Sequence, residues 1–198
     1  MKVAADLTPR EVAELSHVPK RVVEKAIEER VLRVQFRALR GAKRRARRLL
    51  PSYAVAYATI VSKLDMKLGM AQKKRLVAWL SQTNPGQIRK ARFELAHAVE
   101  LNVGHLVGDA MERAERYRAT RDDFIVIDQA IMGGTPVIRG TRMTVYSVLG
   151  RFDHGDSLAD LLADNPDLAP EAIEAAIIYA RAHPLMGRPG GRPWVDAA

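Results

Sequence analysis

The run GGTPVIRGTR at positions 133–142 packs three glycines, a proline and two arginines into ten residues, a composition that could grip a phosphate. That chemistry needs more than glycine: a phosphate cradle sets its glycines at fixed offsets, adds a lysine, and aims the free N–H groups of a helix start at the anion. Gly133, Gly134 and Gly140 give neither GxGxxG nor GK[ST]. The run therefore reads as framework, its glycines admitting backbone angles that other residues resist and Pro136 stiffening the strand. Other chemical sets also fail. There is no cysteine, which excludes disulfides and thiolate metal ligands, and neither GxSxG nor HExxH occurs. His97 and His105 lie eight apart without a carboxylate at ligand spacing and read as structural. Asp153, His154 and Asp156 in FDHGDS read as a helix end followed by a cap. The expectation is a protein that is not an enzyme and holds no metal or cofactor.

The residues left with chemistry to do are the cations. Residues 1–121 carry 26 Lys+Arg against 12 Asp+Glu, and residues 122–198 carry 6 against 11. A balance of +14 in front of −5 makes the first half a candidate polyanion binder and the second a poor one. The densest run is Lys43, Arg44, Arg45, Arg47 and Arg48, five cations in six positions. No apolar run approaches the roughly 18 residues of a membrane span. The start, MKVAADLTPREVAEL, mixes acid and base unlike a secretory leader, so a cytoplasmic protein away from membranes is expected.

What must position those cations is a set of short elements. In LTPREVAELSHVPKRVVEKAIEERVL, Thr8 caps a first helix with Pro9 at its first position and Glu11 closing a capping box. Val12 and Leu15 face inward. Ser16 caps a second helix, in which Val23, Ala26 and Ile27 repeat at helical spacing and leave Lys20, Arg21, Glu24 and Lys25 outside. The segment VLRVQFRALRGAKRRARRLLP alternates apolar and polar at Leu32, Val34 and Phe36 and turns near Gly41, which reads as a hairpin. A basic hairpin after two helices is a wing, and the expected DNA contacts are Lys20, Arg21, Glu24 and Lys25 on the helix with Lys43, Arg44, Arg45, Arg47 and Arg48 on the wing. The alternatives are a helical hairpin with a solvated face and a disordered basic loop. The order of these first 50 residues resembles the winged helix-turn-helix of MerR-type regulators.

PSYAVAYATIVSKL then predicts an amphipathic helix with Tyr53, Tyr57, Ile60, Val61 and Leu64 on one side. GMAQKKRLVAWLSQT predicts another, with Lys73, Lys74 and Arg75 as a lesser basic patch. Asn84-Pro85-Gly86 closes a first domain at residues 1–84. ARFELAHAVEL alternates like one half-buried strand and VGHLVGDAMERAERYRAT like a helix, together a connecting segment at 85–121.

From Asp122 the pattern changes: FIVI and PVI read as strands around the glycine loop, and a helix follows, capped by Thr144. The stretch FIVIDQAIMGGTPVIRGTRMTVYSVLGRFDHGDSLADLLADNPDLAPEAIEAAIIYA resembles the domain of unknown function 433, whose pattern is GG-x-P-V-I-x-G-T-R between an extended stretch and three helices. The resemblance implies a three-helix, homeodomain-like fold preceded by a β-hairpin over 122–184. The fold class expected for the whole chain is mainly α with short β-hairpins. The resemblance also implies homodimers and, in longer members with a DNA-binding front, a VapB-type antitoxin that neutralises a PIN-like ribonuclease toxin and represses its own operon.

Within this part Arg139 and Arg142 stand near Asp153, Asp156, Asp160 and Asp164, which predicts ion pairs. The last helix carries Glu171 and Glu174 at its start, where phosphates would be repelled. Its Ala175, Ile178, Tyr179 and Ala182 form a second apolar face that predicts a dimer interface with another copy. In the tail at 185–198, Arg188, Arg192 and Trp194 are the candidate toxin contacts, an arginine competing with the metal in a carboxylate-lined nuclease site. The leading reading is an antitoxin of a type II toxin–antitoxin system bound to double-stranded DNA; the alternatives are a stand-alone dimeric transcriptional regulator and an adaptor that has lost DNA binding.

Overall fold

The computed structural model describes residues 5–38, 46–88, 90–97 and 99–185. The described chain is mainly helical with short antiparallel strand pairs, the coarse class expected. It begins on β1 (Ala5–Leu7), a strand too short to leave a period in the sequence. In α1 (Pro9–Leu15) the capping box forms: the Glu11 N–H donates to Thr8 Oγ1 at 3.2 Å and the Thr8 N–H to Glu11 Oε2 at 2.6 Å. α2 (Lys20–Glu28) starts after Pro19 with no side-chain cap. Ser16, expected there, donates its hydroxyl to the Val12 carbonyl at 2.7 Å and the Val55 carbonyl at 3.3 Å instead. The turn is made by His17 at a left-handed φ of 52°, which leaves Ser16 facing the core.

β2 (Gln35–Ala38) and β3 (Ala46–Pro51) pair antiparallel, and β1 adds to the other edge of β3, giving the order β1-β3-β2. α3 (Tyr53–Lys63) is buried from Ala54 to Ile60, its alanines letting neighbours approach closely. α4 (Met70–Gln82) and α5 (Pro85–Ile88) follow. The segment expected as one strand is two: β4 (Arg92–Ala96) and β5 (Val99–Asn102) form a hairpin, with Phe93 paired to Leu101 and His97 in the turn. The alternation is continuous through the turn, so the period could not reveal it.

α6 (Val103–Phe124) is the long helix and runs through the boundary expected at residue 122. β6 (Ile125–Val126) and β7 (Val137–Ile138) pair antiparallel around the glycine loop. Gly134 sits there at φ 81°, a left-handed angle that favours glycine, and a Cβ would lie 2.8 Å from Gln129 Oε1 and displace that side chain. α7 (Val145–Asp153), capped by Thr144, α8 (Leu158–Asp164) and α9 (Pro170–Ala182) complete the described fold.

One apolar cluster runs from Leu7 to Ala180 and takes in both halves, so the stretches 1–84, 85–121 and 122–184 do not carry separate cores. α9 packs on α7 with one side and on α1 and α6 with the other. A buried polar network crosses the same seam: Glu11, 2% exposed, accepts from the Tyr117 hydroxyl at 2.6 Å and from Arg121 Nη1 at 3.3 Å. Burial, then the Glu11 carboxylate beside it, pushes the Tyr117 phenol far up. Among the described residues no helix is long and apolar enough to cross a membrane.

Candidate nucleic-acid interface

α2 is helical because Val23 and Ala26 bury one face at a spacing of three, leaving Lys20, Arg21 and Lys25 exposed. Its charges are partly compensated along the helix by Lys20–Glu24 at 3.4 Å and Lys25–Glu29 at 4.0 Å. Beside it, the β2–β3 register sets Phe36 against Arg48 and Arg37 against Arg47. Two arginines directly opposite each other repel, a cost that nearby carboxylates or a bound anion would offset.

The two faces of the hairpin meet different groups. On one, Arg48 Nη2 donates to both carboxylate oxygens of Glu24, at 2.7 and 3.0 Å, with Arg48 still 43% exposed. Glu24 is thus a carboxylate shared by Lys20 and Arg48. On the other, Arg37 and Arg47 line a cavity of about 480 Å³ together with Glu11, Asp122 and Tyr179. The hydrogen bond from Arg121 holds the Asp122 carboxyl below the usual range, with Arg118 and Arg37 adding to it. The basic run at 43–48 is therefore not a free array: Arg47 and Arg48 both stand against this chain's own groups. Lys43, Arg44 and Arg45 lie outside the described residues.

Several expectations are corrected by the packing. Ala175, Tyr179 and Ala182 are 1%, 6% and 1% exposed, because α1 and α6 cover the face that was expected to meet a second copy. Tyr179 also stacks on His183 with ring centroids 4.2 Å apart. Ile178 alone of the four is half-exposed. Arg139 makes no ion pair with the helical aspartates; its guanidinium donates to the backbone carbonyls of Asp122 and Asp123 and ties the β-pair to the end of α6. Arg142 is exposed, and Arg151 takes Asp156 and Asp164 instead. Asp153 pairs with Arg181. Among the described residues no cluster of histidines and carboxylates could hold a metal. Arg188, Arg192 and Trp194 lie outside the described residues.

Arg30, Arg33 and Lys74 line one groove with Arg48, although they come from the end of α2, the link to β2 and α4. Arg30 and Arg33 stand outside the cations that the sequence pattern singles out, and Lys74 belongs there only to the lesser patch. Phe36, the last apolar position of the alternation with Leu32 and Val34, is 70% exposed. Its alternation with Val34 breaks where β2 leaves the core, which period alone does not register.

Residues 125–180 match the family described as Protein of unknown function (DUF433). The chain is also 30% identical, over 94% of its own length and 85% of the relative's, to the uncharacterized protein y4eO of Sinorhizobium fredii. No solved structure matches it. The β6–β7 pair and the three helices α7, α8 and α9 occupy the matched stretch, and the chain belongs to the DUF433 family.

Proposed function

We propose that this chain binds duplex DNA through α2 and the β2–β3 hairpin, while the α7–α9 part braces that unit and offers surface to a protein partner. The observation that carries the reading is the grouping of cations: Lys20, Arg21 and Lys25 exposed on one nine-residue helix, with Arg48 of the neighbouring hairpin held beside them through Glu24. A helix, a tight turn, a second helix presenting cations and then a basic hairpin is the order in which winged helix-turn-helix proteins dock on a major groove. The order β1-α1-α2-β2-β3 supports a MerR-like version of it. The pairing of Arg48 with Glu24 is no obstacle, since an exposed ion pair is worth only about 0–1 kcal/mol and a phosphate can replace the carboxylate.

Within that reading the chain acts as the antitoxin of a type II toxin–antitoxin pair, neutralising a PIN-like ribonuclease and repressing its own operon. Support comes from the chain order, a basic front joined to a DUF433 rear. A stand-alone transcriptional regulator is the second reading. It is favoured by the burial of Ala175, Tyr179 and Ala182 inside the chain, which gives the rear part a bracing role that needs no toxin.

Two assays test this. Footprinting on the DNA upstream of the chain's own gene should give a protected site, and changing Lys20, Arg21 and Lys25 to alanine should alter which bases are preferred. Expression of the adjacent reading frame should arrest growth unless this chain is supplied. Unaltered growth removes the antitoxin role and leaves the regulator; absence of any protected site removes both.

A further inference from the structure

The groove between β2, the end of α2 and α4 encloses about 1040 Å³ and is lined by Arg30, Arg33, Arg48 and Lys74 beside the rings of Phe36 and Tyr53. No carboxylate lines it among the described residues. Arg48 has Glu24 for a partner; Arg30, Arg33 and Lys74 are exposed into the groove's solvent. Like charges gathered around one cleft repel, and an anionic occupant removes that cost.

The end of α2 places Arg30 at the groove. Arg30 has a φ of 55° and ends α2 in a left-handed turn, its N–H donating to the Ile27 carbonyl at 3.0 Å and the Val31 N–H to the Ala26 carbonyl at 2.9 Å. Glycine is the residue this motif favours. Arg30 stands at this turn, where its side chain lines the groove. Compensation of the helix dipole would account for Arg30, but not for Arg33 or Lys74, which lie off that helix end.

The groove is also continuous with the α2 face. Arg48 lines it and also lines the neighbouring cleft that holds Lys20, Glu24 and Arg47. A small anion would need one or two of these cations, whereas a run of them beside an exposed aromatic ring matches a polymer backbone.

We infer that this groove is a phosphate-backbone channel of the DNA interface. Arg30, Arg33 and Lys74 meet successive phosphates of the duplex, and Phe36 packs on the deoxyribose between them. The inference rests on the DNA-binding reading above and adds residues to it that neither α2 nor the wing tip supplies.

The test is fluorescence anisotropy of the full chain on a mixed-sequence DNA duplex over a range of salt. It compares the wild type with Arg30→Gly, Arg33→Ala, Lys74→Ala, the triple variant and Phe36→Ala, each checked by thermal unfolding. Arg30→Gly removes the cation while relieving the backbone, so its fold is retained. Each loss of a cation should flatten the plot of log K against log salt by about 0.9, and the triple variant by about three times that. Phe36→Ala should weaken binding at every salt concentration with the slope unchanged. A triple variant with the wild-type slope overturns the inference while the DNA reading stands, as does a wild type that uses these cations only on single strands. A wild type that binds no nucleic acid overturns both.

Discussion

Glu11 has two functions that lie at different distances along the chain. As the third residue of α1 it closes the capping box with Thr8, a role that local spacing makes plain. As a carboxylate 2% exposed it also holds Tyr117, 106 residues away, and Arg121, a role no local pattern encodes. Removing one partner of a buried charged network strands the others. Glu11→Ala should therefore cost about 3–5 kcal/mol in urea unfolding, against about 1 kcal/mol for Tyr117→Phe; equal small losses would show the network to be dispensable. One histidine carries a pH signature. Burial chiefly holds His183 below the ordinary value of 6.5, so the folded chain favours its neutral form while the unfolded chain takes up a proton as pH falls through 6.5. Stability should thus decline below about pH 6.5 and level off once the folded imidazole protonates. His183→Phe, which keeps the stack on Tyr179, should flatten the decline in Tm across that window, and an unchanged slope would assign the effect elsewhere.

At the scale of elements, the helices were legible wherever a buried stripe repeats at 3.6 residues: α2 from Val23 and Ala26, α3 from Tyr57 and Ile60, α6 from Val107, Ala110, Met111 and Ala114. The β2–β3 hairpin was legible from its alternation and the glycine at 41. β1 and the turn between β4 and β5 were not, because strands of three to five residues carry too few positions to separate a turn from a continued strand. Which face of the hairpin meets what was equally hidden, since it depends on α2 supplying Glu24 to Arg48. That pairing predicts a gain on removal. Glu24→Gln frees both Lys20 and Arg48, should leave thermal stability within about 0.5 kcal/mol, and should raise duplex affinity roughly threefold at low salt. A drop in affinity would mean that Glu24 positions Arg48 for its contact instead of restraining it.

At the scale of the whole molecule, segregated charge and shared packing coexist. The cationic front and the acidic rear were visible in composition, but their common core was not, since the second apolar face of α9 reads the same whether it meets another copy or α1 and α6 of its own chain. The structure gives the latter. Ala175→Glu or Ala182→Glu should therefore unfold the chain, with losses of several kcal/mol from a stranded buried charge, instead of converting a dimer into folded monomers on size exclusion. By the same packing the rear helices reach the β2–β3 hairpin, because Arg47 and Tyr179 line one cavity between them. The most direct test of the central claim is binding of the full chain to duplex DNA from its own upstream region as a function of salt. The account predicts tight binding at low salt that weakens steeply and linearly on the logarithmic plot, with Lys20, Arg21 and Lys25 setting preference for that DNA over a scrambled duplex. Affinity that is absent at low salt, or that does not respond to salt, would contradict it.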